Sequence, residues 1–310
     1  MDETERKPPH AGERLTYDDV ERLIDEHGGA EGLDLRQANL EKADLSHLDL
    51  RGAALGSANL HAADLRSANL QEANLHQVNL HGAFLLEADL QAADLSNASL
   101  QGADLTRTDL QRADLSNANL DESDLFQADL RRAYLAGASL RGTILENANW
   151  GDYVLGDEID GGFRWAASAY RALKQRHTEA GIYDVAGEFH YREMEARRKL
   201  AWQGHRLPYA LAMYALRFLY GYGERPERVI GWAAAVVFGL ALVHWAFSTV
   251  AGGFLEALYY SAVSFPALGY GEWAPEPQGW AGRFLGAGES FLGVFMMALF
   301  LVTFTRKMTR

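Results

Sequence analysis

Residues 260–273 contain the pattern that most clearly suggests a chemical role. Within this segment, Gly269 and Gly271 stand on either side of a tyrosine, and the segment lies between two long apolar stretches, 229–250 and 284–304. A cation that leaves water needs oxygen atoms to replace its hydration shell, and successive backbone carbonyls can supply them. Because such a row of carbonyls needs backbone angles that a Cβ atom opposes, glycine is favoured at alternate positions. The segment therefore predicts a site at which backbone oxygens coordinate a cation.

The two apolar stretches have the length of membrane spans. A span takes about 20 apolar residues, which 229–250 and 284–304 provide, whereas 254–265 is too short and is expected to form a re-entrant pore helix. Basic residues precede the first span and follow the second. The positive-inside rule therefore places both termini in the cytoplasm, in a protein of the plasma (inner) membrane. The N-terminus shows no signal-peptide pattern, so the N-terminal half is expected to remain cytoplasmic.

Residues 229–310 resemble the two-span potassium channels, and the likeness centres on the segment Leu268-Gly269-Tyr270-Gly271. These four residues match the V-G-Y-G of the family's selectivity filter, with leucine in place of valine. The resemblance implies an ion-binding filter over 267–271, supported by residues around it. The implied filter residues are Ala267, Leu268, Gly269, Tyr270 and Gly271, and the implied supporting residues are Tyr259, Tyr260 and Glu272, the last in place of an aspartate.

The inner edge of this filter differs from the family pattern. Ala267 stands where the family has a threonine, whose hydroxyl lines the innermost ion site, and Pro266 before it has no backbone N–H to donate. The departure leaves selectivity for potassium over sodium open. In the second span, the intramembrane carboxylate Glu289 is a functional candidate, and Gly293 matches a flexible glycine of the family. Both are candidate gating residues, although Gly293 is equally explained by close helix packing.

Residues 35–145 have a leucine at every fifth position, 23 in succession, and Trp150 takes the next place. A small residue usually stands two positions before each leucine, with Asp or Asn between them. A period of five fits neither a helix nor an ordinary strand, and it is typical of a solenoid with one pentapeptide per side. The stretch resembles the pentapeptide-repeat family. The resemblance implies a right-handed quadrilateral β-helix over 31–150, with the leucines pointing to its axis.

The remaining segments are expected to be an N-terminal cap and a helical connector. Residues 1–14 are charged and are predicted to be disordered, and 16–27 is predicted to form a capping helix within 1–30. Residues 159–205 predict a cytoplasmic helical hairpin with ion pairs such as Glu193/Arg197 and Glu195/Lys199 on its solvent-exposed face. Residues 206–228 predict an interfacial helix, too short to span, followed by a turn whose proline ends what precedes it.

The predicted architecture is multidomain, with a β-helical solenoid, a helical connector and an all-α two-span pore domain. The chain has a net charge of −13 and no cysteine. It lacks the pattern of a nucleophile with its base, a phosphate loop or a metal cluster, so we expect no enzyme, no cofactor and no bound metal beyond permeant K⁺ or Na⁺. Acidic residues outnumber basic ones 18 to 9 over 31–150, which indicates a solvated face and not a nucleic-acid site.

The leading hypothesis is a homotetrameric cation channel in a lipid bilayer that conducts potassium. One filter segment cannot surround an ion, so several chains must meet. The solenoid is expected to regulate the channel, or to act as a scaffold by binding a cytoplasmic protein or ligand. Two alternatives are a weakly selective cation channel and a membrane-tethered scaffold with a degenerate pore.

Overall fold

A computed structural model describes residues 8–266, 277 and 279–308. For residues 306–308 it describes the backbone alone. The chain divides into two units, Met1–His205 and Arg206–Arg310. The helices of the first unit are α1 (Tyr17–His27), α2 (Gly156–Ile159), α3 (Phe163–Glu179) and α4 (Tyr183–Gln203). Those of the second unit are α5 (Leu207–Tyr220), α6 (Pro226–Ala246), α7 (Phe254–Ser264) and α8 (Gly279–Met308).

Between α1 and α2 the chain winds as a solenoid whose coils are 20 residues long. Parallel bridges join each residue at the Asp/Asn position to the residue 20 positions later, from Asp34↔Ala54 to Asp129↔Asn149. The leucine that follows donates its N–H to the next coil, as in Leu90 to the Asp109 carbonyl at 2.8 Å. Each bridge involves one residue, so the described part of the solenoid contains no continuous strand.

The repeating leucines point to the axis of the solenoid, as the sequence predicts. Those from Leu35 to Leu130 are at most 2% exposed, and most of the small residues two positions before them are also buried. Leucine therefore fills the centre of each coil and the small residue fits beside it. The free energy that holds the solenoid together comes mainly from this buried apolar surface.

The corners of the coils use a backbone conformation that the sequence does not reveal. The second residue after each leucine has a positive φ, and in 17 of the coil positions from Gln37 to Arg132 this residue is not glycine. The leucine carbonyl accepts a hydrogen bond from the N–H three residues on, as in Ala93 to Leu90 at 3.1 Å. This is the pattern of a β-turn with a left-handed residue at its third position.

Helix α1 covers the first coil of the solenoid. The predicted capping helix is present and begins with a capping box, in which Thr16 and Asp19 bond each other's backbone N–H groups. Both Leu15 and Val20 belong to the solenoid core. The prediction of disorder over residues 1–14 is wrong for its described part, residues 8–14. Gly12 N–H donates to the Gln37 carbonyl at 2.8 Å, so this segment adds to the first coil because that coil has unpaired backbone groups to satisfy.

Helices α2 to α4 cover the last coil of the solenoid and belong to the same core. The ring of Phe189 on α4 lies 5.0 Å from that of Trp150, edge to face. The fully buried Tyr170 on α3 donates its hydroxyl proton to Glu158 at 2.6 Å. The predicted hairpin is present, and its position shows that it is a cap as well as a connector.

The carboxylates in the ion pairs of this hairpin are buried, and their basic partners remain partly exposed. Glu193 is 2% exposed and pairs with three basic side chains of α3 and α4, including the predicted Arg197 at 2.5 Å. The predicted pair Glu195/Lys199 is wrong, because Lys199 reaches Glu158 at 2.5 Å and Glu195 pairs with Arg198 at 3.2 Å. The spacing along α4 places both Arg198 and Lys199 within reach of Glu195. Lys199 pairs instead with the buried Glu158 of α2, and Glu195 pairs with Arg198.

In the second unit, α6 and α8 are long and apolar enough to cross a membrane. Helix α6 begins at Pro226 and ends at Ala246, where the sequence suggested 229–250, and α8 begins at Gly279 instead of 284. Pro226 does not end a helix but begins one, since proline fits the first helical position. Gly221–Gly223 forms the predicted turn as one turn of 3₁₀ helix after α5.

Candidate functional site

Helix α7 leads directly into the segment that the sequence singles out for cation binding. Its first turn is fixed by Glu256, whose Oε2 accepts a hydrogen bond from the Gly253 N–H at 2.8 Å. The helix ends at Ser264, so the partial negative charge of its C-terminus lies immediately before residues 267–271. The predicted filter residues Ala267, Leu268, Gly269, Tyr270 and Gly271, together with Glu272, which is predicted to support them, lie outside the described residues.

Helix α8 holds the C-terminal end of α7 through two adjacent contacts. Ser290 donates its hydroxyl proton to the Ser264 carbonyl at 2.9 Å. One turn later, a Cβ atom on Gly293 would lie 1.5 Å from the Phe265 carbonyl oxygen. Two carbonyls just before the predicted filter segment therefore rest against α8, and the second contact requires glycine. This geometry supports the packing explanation of Gly293.

The two tyrosines that the resemblance assigns to filter support lie in different surroundings. Tyr260 is fully buried, and its ring lies 5.0 Å from that of His244 on α6, nearly edge to face. Tyr259 is 48% exposed on a single chain. Tyr260 thus joins α7 to α6 within one chain, whereas Tyr259 presents its ring outward.

A buried polar cluster lies behind α7, where both spans contact it. His244 Nε2 and Glu289 Oε2 are 3.4 Å apart, and both side chains are 0% exposed. His244 Nδ1 also bonds the Thr249 hydroxyl at 2.7 Å. Among the described residues, neither Glu289 oxygen has a hydrogen-bond partner. The sequence indicated Glu289 as a functional candidate but did not reveal its pairing with His244.

The cluster connects α6 and α8 to α7. Its members come from α6, from the turn after it and from α8, and His244 contacts Tyr260 of α7. His244 therefore contacts both Glu289 of α8 and Tyr260 of α7, the helix that precedes the predicted filter segment. Within the described residues, no group of three or more His, Asp or Glu side chains could hold a metal ion.

An apolar cavity of about 180 Å³ lies between the start of α6 and the middle of α8, lined by Val229, Ile230, Ala233, Phe265, Met296, Met297 and Phe300. Met296 is 6% exposed, while Phe295 and Phe304 are about half-exposed. Phe300 therefore faces α6 across this cavity, whereas Phe295 does not line it.

Comparison with known families assigns both halves of the chain. Eight copies of the pentapeptide repeat match residues 30–56, 58–97, 88–127 and 128–149. The family described as ion channel matches residues 231–310. A search of curated proteins found no match.

Solved structures similar to the chain include several pentapeptide repeat proteins. One, from the cyanobacterium Cyanothece 51142, is 39% identical over 30% of this chain and 63% of its own, with a TM-score of 0.29. Another, from the Arabidopsis thaliana thylakoid lumen, is 28% identical over 41% of this chain and 75% of its own, with a TM-score of 0.22. A third, from Nostoc, is 36% identical over 34% of this chain and 79% of its own, with a TM-score of 0.20.

These matches agree with the two units that the chain forms. The repeats cover the solenoid between α1 and α2, and the ion channel match covers α6 to α8. The second unit also contains the two helices that could cross a membrane. The chain is a pentapeptide-repeat protein joined to a potassium-channel-like ion channel domain.

Proposed function

We propose that four copies of this chain form a cation channel that conducts potassium. The observation that supports this most directly is the contact between the end of α7 and α8. The carbonyls of Ser264 and Phe265, shortly before residues 267–271, lie against Ser290 and Gly293 of α8. This arrangement would hold the row of filter carbonyls in a fixed place. Each chain contributes one such segment, and four of them are needed to surround an ion.

The exposed surface of α8 supports assembly in a membrane. Large apolar side chains are exposed on more than one side of this helix, with Phe291 and Val302 on one side and Met297 and Phe304 on another. One side would face lipid and another a neighbouring chain. The exposed ring of Tyr259 would then contact the neighbouring chain's filter segment.

The absence of a threonine hydroxyl at Ala267 is the reason to measure selectivity. If the carbonyls form the usual cage, potassium permeates with a weakened innermost site, and Ala267→Thr raises discrimination against sodium by adding oxygen ligands. A weakly selective pore is the second candidate, and the same measurement separates the two. The potassium/sodium permeability ratio of wild type and variant, under identical bi-ionic conditions, decides between them.

The whole proposal is tested on purified full-length protein in liposomes. The assembly should have about four times the 34.3 kDa mass of the chain, and single-channel recording should show cation current. Gly269→Ala should abolish this current, because the added Cβ opposes the backbone angles that the carbonyl row needs. A monomer or dimer that still conducts would contradict the tetramer, and the absence of any current would favour a scaffold.

For the first unit, we propose a cytoplasmic solenoid in the form of a right-handed quadrilateral β-helix that regulates the channel or binds a partner. The 20-residue spacing of the bridges supports four sides of five residues each. Both termini would lie in the cytoplasm of a cell with the protein in its plasma (inner) membrane. A cysteine introduced at Ala92 should react with a membrane-impermeant thiol reagent only from the cytoplasmic side of the membrane. A cysteine introduced at Arg283 should react only from the opposite side.

A further inference from the structure

A second cavity of the membrane unit lies between α5 and the first turns of α6. Its volume is about 570 Å³, and it is lined by Tyr214, Arg217, Phe218, Arg228, Gly231, Trp232 and Ala235. Two of these side chains are guanidinium groups, three are aromatic and none is a carboxylate. The cavity therefore combines positive charge with apolar walls.

The walls of this cavity are held in place by hydrogen bonds between the two helices. Arg228 on α6 donates from Nη1 to the Arg217 carbonyl of α5 at 2.8 Å. Trp232 donates its indole N–H to the Phe218 carbonyl at 3.1 Å, and the two rings lie 4.5 Å apart. The bond from Arg228 takes one of the five N–H donors of its guanidinium. The cationic group is thus positioned before any ligand arrives.

The cavity lies where a membrane would present its phosphate groups. Helix α5 has 14 residues, too few to span a bilayer, and it exposes Leu211, Tyr214 and Phe218. Helix α6, which is long enough to span, begins at Pro226, close to Arg228. Tyrosine and tryptophan favour the headgroup level of a membrane, so the aromatic residues and both arginines are expected at that depth.

We propose that this cavity binds an anionic phospholipid, with Arg217 and Arg228 contacting the headgroup phosphate. Arginine binds phosphate through paired, charge-assisted hydrogen bonds, and basic pockets between membrane helices favour anionic headgroups. Gly231 and Ala235 leave space along α6, where an acyl chain would pack against Trp232. A soluble phosphate would use the two arginines alone and would leave these apolar walls in contact with water.

Wild-type full-length protein provides the first test. The purified assembly is transferred to neutral detergent, titrated with phosphatidylglycerol or phosphatidylcholine, and the bound lipids are counted by native mass spectrometry. We expect phosphatidylglycerol to bind at least about tenfold more tightly, which corresponds to about 1.4 kcal/mol. Equal binding of the two lipids, or no retained lipid because a second copy of the chain fills the cavity, would overturn the proposal.

A competition arm separates a lipid from a free anion. Inorganic phosphate at millimolar concentration should not displace phosphatidylglycerol, because it cannot replace the acyl-chain contacts. Complete displacement would show a site for soluble phosphate and would overturn the lipid assignment. Neither arm depends on ion conduction, so its outcome is independent of the proposed channel function.

Arg217→Gln is the variant that assigns the site. It keeps the Arg217 backbone carbonyl that Arg228 uses, so the joint between α5 and α6 should remain, and an unchanged melting temperature checks this. We expect about tenfold weaker binding of phosphatidylglycerol. Arg283→Gln is the matched control, because Arg283 is an exposed arginine at the other end of the membrane unit. Equal effects of the two substitutions, or none from Arg217→Gln, would overturn the assignment.

Discussion

Replacing Gly293 by alanine tests whether this residue serves packing or flexibility. In the structure, the new Cβ would lie 1.5 Å from the Phe265 carbonyl oxygen, whereas real Cβ atoms almost never approach a neighbour within 3.0 Å. Helix α8 or the end of α7 must therefore move by about 1.5 Å. Because only Pro266 separates Phe265 from the predicted filter segment, we expect the displacement to reach residues 267–271.

The expected energetic effect follows from two opposing contributions. Forcing an extra carbon into a packed contact destabilises by about 1–3 kcal/mol. Alanine in place of glycine within a helix stabilises by up to about 1 kcal/mol. Gly288→Ala on the same helix provides the matched control, since a Cβ there meets no atom within 4 Å, and only the stabilising contribution remains. Gly293→Ala should therefore lower the melting temperature of the assembly, while Gly288→Ala leaves it unchanged or raises it.

Single-channel recording distinguishes the two explanations of Gly293. A displaced filter entrance should reduce or abolish the unitary conductance, whereas the loss of a flexible hinge would change the open probability and leave the conductance intact. Wild-type conductance together with a melting temperature equal to that of Gly288→Ala would show that the close contact with Phe265 is absent. The packing argument would then fail.

Three further predictions concern buried groups. Glu289→Gln and His244→Gln should together destabilise the assembly less than the sum of their separate effects, with a coupling of about 0.5–3 kcal/mol; additive melting shifts would contradict the pairing. Leu90→Asp in a 1–205 fragment should prevent folding, at a cost of about 4 kcal/mol or more, while Ala92→Asp at an exposed corner should melt close to wild type; equal melting of the two would show that Leu90 does not face inward. Burial alone would raise the pKa of Glu193, but hydrogen bonds from Lys174 and Arg171 hold it below its ordinary value. That contribution to stability is present above about pH 4.5 and is lost as pH falls through the lowered pKa. Glu193→Gln should destabilise the same fragment by about 1–3 kcal/mol at pH 7, a range reduced because the basic partners are partly exposed, and the deficit should shrink in acid; a deficit that does not depend on pH would contradict the ion pairs.

The solenoid was predictable from sequence because one rule repeats along it. Leucine at every fifth position fixes which side chains face inward, and the structure confirms this from Leu35 to Leu145. The corner conformation was not predictable, since residues as different as Gln37, Lys42 and Ser57 adopt the same positive φ. The hydrogen bonds between coils impose the positive φ, and the residue type at the corner does not predict it.

In the membrane unit, the sequence indicated the helices but not their rotation. Ser290 and Ser264 are 26 residues apart in the chain, and His244 and Glu289 are 45 apart. Their pairing depends on how α6 and α8 turn about their own axes. A helix that is apolar on all sides carries no stripe that would reveal its buried face, so these contacts came only from the structure.

The two caps of the solenoid have a consequence for how its dimensions can change. Helix α1 closes one end and the α2–α4 group closes the other, while the coils between them contact only their neighbours. In such an array, each unit adds its own stability and its own contact with the next. Inserting 20 residues would lengthen the rod by one coil, about 4.8 Å, and would leave both caps as they are. Inserting five would add one side of a coil and would turn the second cap by that one side. Whole-coil insertions therefore change the length of the rod alone, whereas insertions of five residues change the direction of its terminal helices.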